Sequence, residues 1–452
     1  MRIRPPRWTA AAAAGIAGLA LVAVAGVAAA SSRTPAGTAH AAVKAGAEPA
    51  EPAASAPAAT AVALPGSAEA VRAQVARVPT DWPAWSALGG LDLERGRATG
   101  DPTAYAAAEA DFARSLQLHP QDNDAALAGQ AALADSRHRF ADGERLARAA
   151  LAVNPTSPQA LAWLTDALTE QGRYPEAQAA AEQLDAVRPG VASFTRLSYQ
   201  AELRGRIPAA VELMARAAGE ATTPAQVAFA RAMEGLLRLG TGDVAAAATA
   251  WRAGVAVAPQ DAGLARLGAR LAWAQGDHEL AARRYADLMA RRPSAADAAA
   301  QAEVLTVLGR SREAATALDV ARAARTLAAG AGIEPEAGDV LLEADHGDPA
   351  RAVELARALW DRSPSVGAAD AYAWALHAAH RDAEALPFAD RALALGGRPA
   401  PVLAHRGTIR AALGDRSGAV ADLRAALATD PAFSPAQAPR AQALLDSLGV
   451  TR

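Results

Sequence analysis

Cysteine is absent from the 452 residues, and aromatic side chains make up only 4% of them. Without cysteine, the chain has no disulfides, thiolate nucleophiles, cysteine metal ligands or lipid-modified N-terminal cysteine. No segment of useful length alternates apolar and polar residues with the period of two that is typical of a strand. Alanine, leucine and arginine dominate instead. This composition predicts an all-α fold.

The chain has a single lysine, Lys44, and a formal net charge of −3. Its arginines are interleaved with aspartate and glutamate along the sequence. No stripe of positive charge is available to contact a phosphate backbone. We therefore expect no nucleic-acid partner.

Motifs that carry catalysis or bind cofactors are also missing. The sequence has no Gly-x-Ser-x-Gly elbow, P-loop or His-Glu-x-x-His stretch. His377, His380 and Glu384 have the spacing of three ligands on one helix face. However, His380 stands where comparable segments place a turn glycine, so the helix should end there. We predict no catalytic, cofactor-binding or metal-binding residues, and a metal site around His377 is the weaker alternative.

Prolines recur with a period close to 34 residues. Pro120, Pro155 and Pro189 are 35 and 34 residues apart, and Pro259 and Pro293 are 34 apart. Such a period in a helical sequence is typical of stacked helix-turn-helix units, each of which buries its apolar faces against its neighbours.

The unit is clearest between residues 157 and 189. Leu161, Leu164 and Leu168 share one helix face, Gly172 suits the left-handed turn that ends the helix, and Pro175 suits the start of the next one. The pattern predicts two antiparallel amphipathic helices joined by a tight turn.

These units resemble the tetratricopeptide repeat family, whose pattern is Trp-x2-Leu-Gly-x2-Tyr, then Ala-x3-Phe, then Pro. The first unit has Trp85, Leu88, Gly89, Ala108, Phe112 and Pro120 at matching positions, but its turn from residue 97 to 103 is about seven residues too long for the family pattern. The ten units end near residues 120, 155, 189, 222, 259, 293, 332, 364, 397 and 431. In the seventh unit, residues 311–329 suggest a longer second helix. The resemblance implies a right-handed α-solenoid of about ten such repeats.

Three regions are predicted along the chain. Residues 1–30 join Arg2, Arg4 and Arg7 to an uncharged apolar run, which is typical of a signal peptide or an N-terminal membrane anchor. Residues 31–67 are rich in alanine and proline and predict a disordered linker. Residues 68–452 form the solenoid, with a C-terminal capping helix at about 436–449. The solenoid is expected outside the cytoplasm, either secreted, in the cell envelope or anchored to a membrane.

The family resemblance also implies that the first helix of each unit forms a concave groove where peptides or partner helices dock. The second, fifth, ninth and twelfth positions of these helices would line that groove. The candidate groove residues are Tyr199, Glu202, Phe229, Arg266, Arg270, Trp273, Asp370, Trp374 and His377. We expect Arg266 and Arg270 to be exposed, whereas Trp273 and Trp374 could instead pack as core between hairpins.

The sequence therefore predicts an exported, non-enzymatic scaffold or adaptor that binds partner proteins or peptides and needs no cofactor. If the N-terminal segment is retained, it would also contact a membrane. One alternative is a sensor whose solenoid binds a small ligand and changes curvature. The other is a metal-dependent enzyme within a repeat shell.

Overall fold

The structure is a computed structural model that describes residues 68–99 and 101–449. The predicted signal or anchor (1–30) and linker (31–67) lie outside the described residues. The helices are α1 (Ala68–Arg77), α2 (Trp82–Thr99), α3 (Pro102–Leu118), α4 (Asp124–Ser136), α5 (Phe140–Val153), α6 (Pro158–Glu170), α7 (Tyr174–Val187), α8 (Val191–Leu203), α9 (Ile207–Gly219), α10 (Pro224–Leu239), α11 (Val244–Val257), α12 (Ala262–Ala274), α13 (His278–Arg291), α14 (Ala295–Val307), α15 (Ser311–Gly330), α16 (Ala337–His346), α17 (Pro349–Arg362), α18 (Val366–Ala378), α19 (Asp382–Ala392), α20 (Ala400–Ala412), α21 (Arg416–Thr429) and α22 (Gln437–Ser447).

Ten antiparallel hairpins, from α2/α3 to α20/α21, form the body of the molecule. This confirms the predicted all-α solenoid of about ten repeats, and no strand occurs in the described ranges. The long second helix of the seventh unit is also present, since α15 has 20 residues. The expected over-long turn in the first unit is wrong. Most of the additional residues extend α2 to 18 residues instead.

The hairpin turns explain why glycine recurs after each first helix. Gly172 and Gly276 have φ values of +70° and +83°, a left-handed conformation that a side chain disfavours. His138 and His380 occupy the same turn position with φ values of 58° and 59°. The helix that contains His377 therefore ends before His380, as the sequence predicts.

Small residues allow the hairpins to pack closely. Alanines dominate the buried core, and larger side chains fill the spaces between them, including the fully buried Leu161 and Leu168 of the third unit. Most first helices pack against the first helix of the next unit, as α4 does against α6 and α16 against α18, and the first helices line the inner side of the stack.

The curvature is strong enough for the superhelix to contact itself after one turn. We call this contact line the seam. The Glu170 carbonyl accepts a hydrogen bond from Ser363 Oγ at 2.6 Å, across 193 residues of sequence. The Val366 N–H donates to the Tyr174 hydroxyl at 2.6 Å, across 192 residues. Units of this stack therefore contact units far away in sequence as well as their neighbours.

The seam keeps a constant offset of about five and a half units. The hairpin turn of the first unit meets the end of the sixth unit. The same pairing continues along the chain until the turn of the fifth unit meets the end of the tenth. The further contacts are Arg292 Nη2 with the Arg97 carbonyl at 2.5 Å, His138 Nδ1 with the Glu334 carbonyl at 2.7 Å, and the Gly397 N–H with the Leu203 carbonyl at 3.1 Å. Gly242 of the fifth unit lies against the Thr429 carbonyl.

Three turn glycines permit this close approach. A Cβ added at Gly172 would lie 2.5 Å from the Pro364 carbonyl oxygen, and one at Gly205 would lie 2.8 Å from the Gly396 carbonyl oxygen. At Gly242 the distance to the Thr429 oxygen would be 3.1 Å. A Cβ at Gly276 would meet no atom within 4 Å, because that turn lies outside the seam.

The C-terminal helix α22 ends the stack, and the segment that leads into it contacts the first helices of the seventh and eighth units. Ser434 Oγ donates to Glu303 on α14 at 2.9 Å, and Gln437 Nε2 lies 3.4 Å from an oxygen of Asp345 on α16. These contacts close the inside of the last units. Among the described helices, none combines the length and the apolar character needed to cross a membrane.

Candidate functional site

The superhelix encloses a cavity of about 1660 Å³. Its walls come mainly from the first helices of the units, from α2 to α20, and from the seam. We call this space the inner cavity. Because successive turns meet at the seam, the concave surface implied by the family resemblance lines a partly open cavity.

Six of the nine candidate groove residues line the inner cavity. They are Tyr199, Glu202, Phe229, Arg266, Arg270 and Asp370. Trp273, Trp374 and His377 are not part of its wall.

Trp374 packs between the first helices of neighbouring units. Its ring stacks on His405 with 4.1 Å between centroids, and its Nε1 donates to Asp345 at 2.9 Å. His405 is buried and also bonds Asp370 at 2.9 Å and Gln437 at 3.1 Å. These contacts match the core-packing alternative for Trp374.

Trp273 lies on α12, the first helix of the sixth unit, but outside the wall of the inner cavity. It is half-buried, packs on the cluster around Tyr285, and stacks on His278 with 4.0 Å between centroids. The ring also borders a shallower depression against Leu427 and Pro431 near the C-terminus. Its surroundings are therefore largely those of a packing residue.

The structure separates the three side chains of the alternative metal site. His377 Nδ1 lies 2.5 Å from Asp382, whereas Glu384 accepts two hydrogen bonds from Arg381 at 2.7 and 2.8 Å. His380 occupies the turn between the two helices. In the described part of the chain, no three histidine, aspartate or glutamate side chains converge as metal ligands.

Arg266 is only partly exposed, whereas the sequence predicted an exposed side chain. It donates two hydrogen bonds to Asp297, at 2.5 and 2.7 Å, and the Asp297 side chain is only 3% exposed. Arg270, one helical turn later, faces the inner cavity without a hydrogen bond or ion pair to any described residue. The two arginines therefore have different roles.

Aromatic and cationic side chains meet at the third unit. The guanidinium groups of Arg97 and Arg196 lie 4.6 and 5.5 Å from the centre of the Trp163 ring. Arg196 is fully buried, donates to the Ala162 carbonyl at 2.9 Å, and pairs with Asp166 at 2.5 Å. These arginines are held by the protein itself.

Three carboxylates that line the inner cavity have no hydrogen bond or ion pair with any described residue: Asp135, Glu170 and Glu202. Burial raises the pKa of both Glu170 and Glu202 to about 7. Burial also raises the pKa of Asp135 well above its ordinary value, and the nearby Asp166 adds to this effect. Glu170 and Glu202 are therefore partly protonated near neutral pH.

Sequence reasoning found only Glu202 among these three. Asp135 is the twelfth residue of α4, as Glu202 is of α8, so the same mapping would have included it. Glu170 is the thirteenth residue of α6 and lies just outside the mapped positions. Nothing in the sequence distinguishes these carboxylates from those that pair with arginine.

The ten hairpins, their inward first helices and the enclosed cavity place the chain among the helical-repeat solenoids. Within that class, residues 136–197, which span α5 to α7 and parts of their neighbours, match the family model described as tetratricopeptide repeat. No curated protein is significantly similar to the chain in sequence.

Several solved structures are similar to the chain. One is the Cut9–Hcn1 hetero-tetramer of the APC/C, with 12% identity, 85% of this chain and 92% of that chain covered, and a TM-score of 0.37. A tetratricopeptide repeat protein from Parabacteroides merdae has 13% identity, coverage of 73% and 99%, and a TM-score of 0.32. Pseudomonas aeruginosa pilF has 20% identity, coverage of 47% and 92%, and a TM-score of 0.35.

Proposed function

We propose that the protein is a non-enzymatic scaffold that binds a segment of a partner protein in the inner cavity. The observation that carries this proposal is the volume of about 1660 Å³ enclosed by the first helices. Small-molecule pockets usually measure about 300–1,000 Å³. The inner cavity is larger, and tetratricopeptide repeats generally mediate interactions between proteins.

Site-specific photocrosslinking tests this proposal. A benzophenone amino acid placed at Phe229 would lie in the cavity wall, whereas the same group at Leu413, which is 41% exposed and outside that wall, serves as the control. We expect the cavity position to capture a defined polypeptide that the control does not capture. Equal capture at both positions would show that binding does not use the cavity.

We also propose that the solenoid acts outside the cytoplasm. The support is the arrangement of Arg2, Arg4 and Arg7 before an apolar run, which orients an export segment with its positive end inside. A reporter fused after residue 67 should be active only outside the cytoplasm. Activity of that fusion in the cytoplasm would refute export.

A further inference from the structure

Most carboxylates that face the inner cavity have a partner within the chain. The pairs are Glu94 with Arg97, Asp166 with Arg196, Asp339 and Glu343 with Arg325, and Asp370 with His405. Asp135, Glu170 and Glu202 are exceptions in a chain rich in arginine. We call these three side chains the acidic row.

The row includes a deeply buried carboxylate without a hydrogen bond, although the charges of Arg97 and Arg196 act on it from a distance. Asp135 is 7% exposed, and neither of its carboxylate oxygens has a hydrogen-bond partner. A buried polar group without a partner is costly, and in native proteins it calls for an explanation such as a missing ion or ligand. Glu170 and Glu202 are only half-buried, so a bound molecule in the cavity could reach them.

The cations nearest to the row are already engaged elsewhere. Arg97 donates to Ser136 Oγ at 2.8 and 3.0 Å, and Arg196 pairs with Asp166. His138 is tied to the Glu334 carbonyl at the seam. None of these three cations therefore forms a hydrogen bond or an ion pair with the acidic row.

The row has a regular geometry. Its members come from α4, α6 and α8, the first helices of three successive units, and each is one of the last two residues of its helix. Packed helices lie about 8–10 Å apart. An extended polypeptide advances about 3.3 Å per residue, so every third side chain would meet the next helix.

From these observations we propose that the acidic row binds an extended basic segment of a partner polypeptide, with lysine or arginine at about every third residue. This inference rests on the proposed binding function of the inner cavity and specifies the chemistry of the ligand. Each basic side chain would form a charge-assisted hydrogen bond to one carboxylate, which would then be ionised.

Fluorescence anisotropy with synthetic peptides tests the inference. The probe is a labelled peptide of four Arg-Ala-Ala repeats, and the comparison peptide has the same composition with its arginines adjacent. We expect the spaced peptide to bind more tightly. Equal binding of both peptides would overturn the claim that the acidic row recognises a basic side chain at every third residue.

A pair of charge-neutralising variants provides the second arm. Glu170→Gln with Glu202→Gln should weaken binding of the spaced peptide by about tenfold or more, because two buried charge partners are lost. The control is Glu212→Gln with Glu220→Gln, which removes the same charge from exposed positions on and after α9. The cavity variant should fold at least as stably as the parent, because neutral amides are less costly to bury. Equal affinity of the two variants would overturn the inference.

Two further outcomes distinguish a failure of this inference from a failure of the proposed protein binding in the inner cavity. If the photocrosslinker at Phe229 still captures its partner when the acidic row is neutralised, the cavity binds proteins but not through basic residues. If spermidine competes with the spaced peptide at the same concentration of positive charge, the row recognises free polyamines and the polypeptide assignment is wrong.

Discussion

The seam can be tested by substituting one glycine on it and a matched glycine away from it. Gly172 and Gly276 are both hairpin-turn glycines with left-handed φ values of +70° and +83°. Alanine in this conformation costs about 1–2 kcal/mol at either position. Only at Gly172 would the new Cβ also lie 2.5 Å from the Pro364 carbonyl oxygen, closer than real Cβ contacts allow.

The additional cost at Gly172 follows from the hydrogen bonds that the displaced seam would lose. These are the bonds from Ser363 Oγ to the Glu170 carbonyl and from the Val366 N–H to the Tyr174 hydroxyl. Each contributes about 1 kcal/mol net. Gly172→Ala should therefore cost about 3–4 kcal/mol, and Gly276→Ala about 1–2 kcal/mol.

Hydrogen exchange measured by mass spectrometry is the appropriate assay, because repeat proteins often unfold in parts and a single melting temperature would average them. In Gly172→Ala, protection should fall around residues 170–174 and also around residues 363–366. In Gly276→Ala, the loss should stay near the sixth unit. Equal and purely local effects of the two substitutions would refute a seam that contributes to stability.

Two further predictions concern charged pairs. Arg266→Met should destabilise the sixth and seventh units by about 3–5 kcal/mol, because it leaves the buried Asp297 carboxylate with a hydrogen bond from Ser294 but without an ion-pair partner. Arg270→Met should change stability little, and similar urea midpoints for the two variants would contradict this. Burial lowers the pKa of His405, but the Asp370 carboxylate and the hydrogen bonds outweigh burial and raise this pKa overall. The pair of His405 and Asp370 therefore stabilises the fold fully below about pH 6.5, and this stabilisation is lost as the pH rises through the raised pKa. The stability difference between the parent and His405→Gln should accordingly shrink from pH 6 to pH 9, and a difference independent of pH would refute the charged pair.

The architecture was largely predictable from sequence because it depends on local signals. The recurring prolines and the turn glycine at Gly172 mark where helices start and end, and the spacing of Leu161, Leu164 and Leu168 marks the buried face. Those signals predicted ten hairpins. They did not show that the additional residues of the first unit would continue α2, since a helix and a loop can accommodate the same short polar segment.

Neither the seam nor the acidic row could be predicted from local sequence signals. Gly172 and Gly276 look alike in sequence, yet only the first lies on the seam, because self-contact depends on the rotation accumulated over more than five units. Glu202 was identified from its helix position, but its lack of a partner depends on which arginines the fold brings near it. For the same reason, the pairing of Arg266 with Asp297 on the next unit could not be deduced.

The seam also has a consequence for how the chain is made. A helical hairpin can fold soon after it leaves the ribosome, because its contacts are local. The turn near Gly172, however, forms hydrogen bonds with residues that lie 192 and 193 positions later in the sequence. At roughly 5–20 residues per second, the early units would wait about 10–40 s for these partners. During that interval the nascent protein is an open coil, and it closes only when its second half has been synthesised.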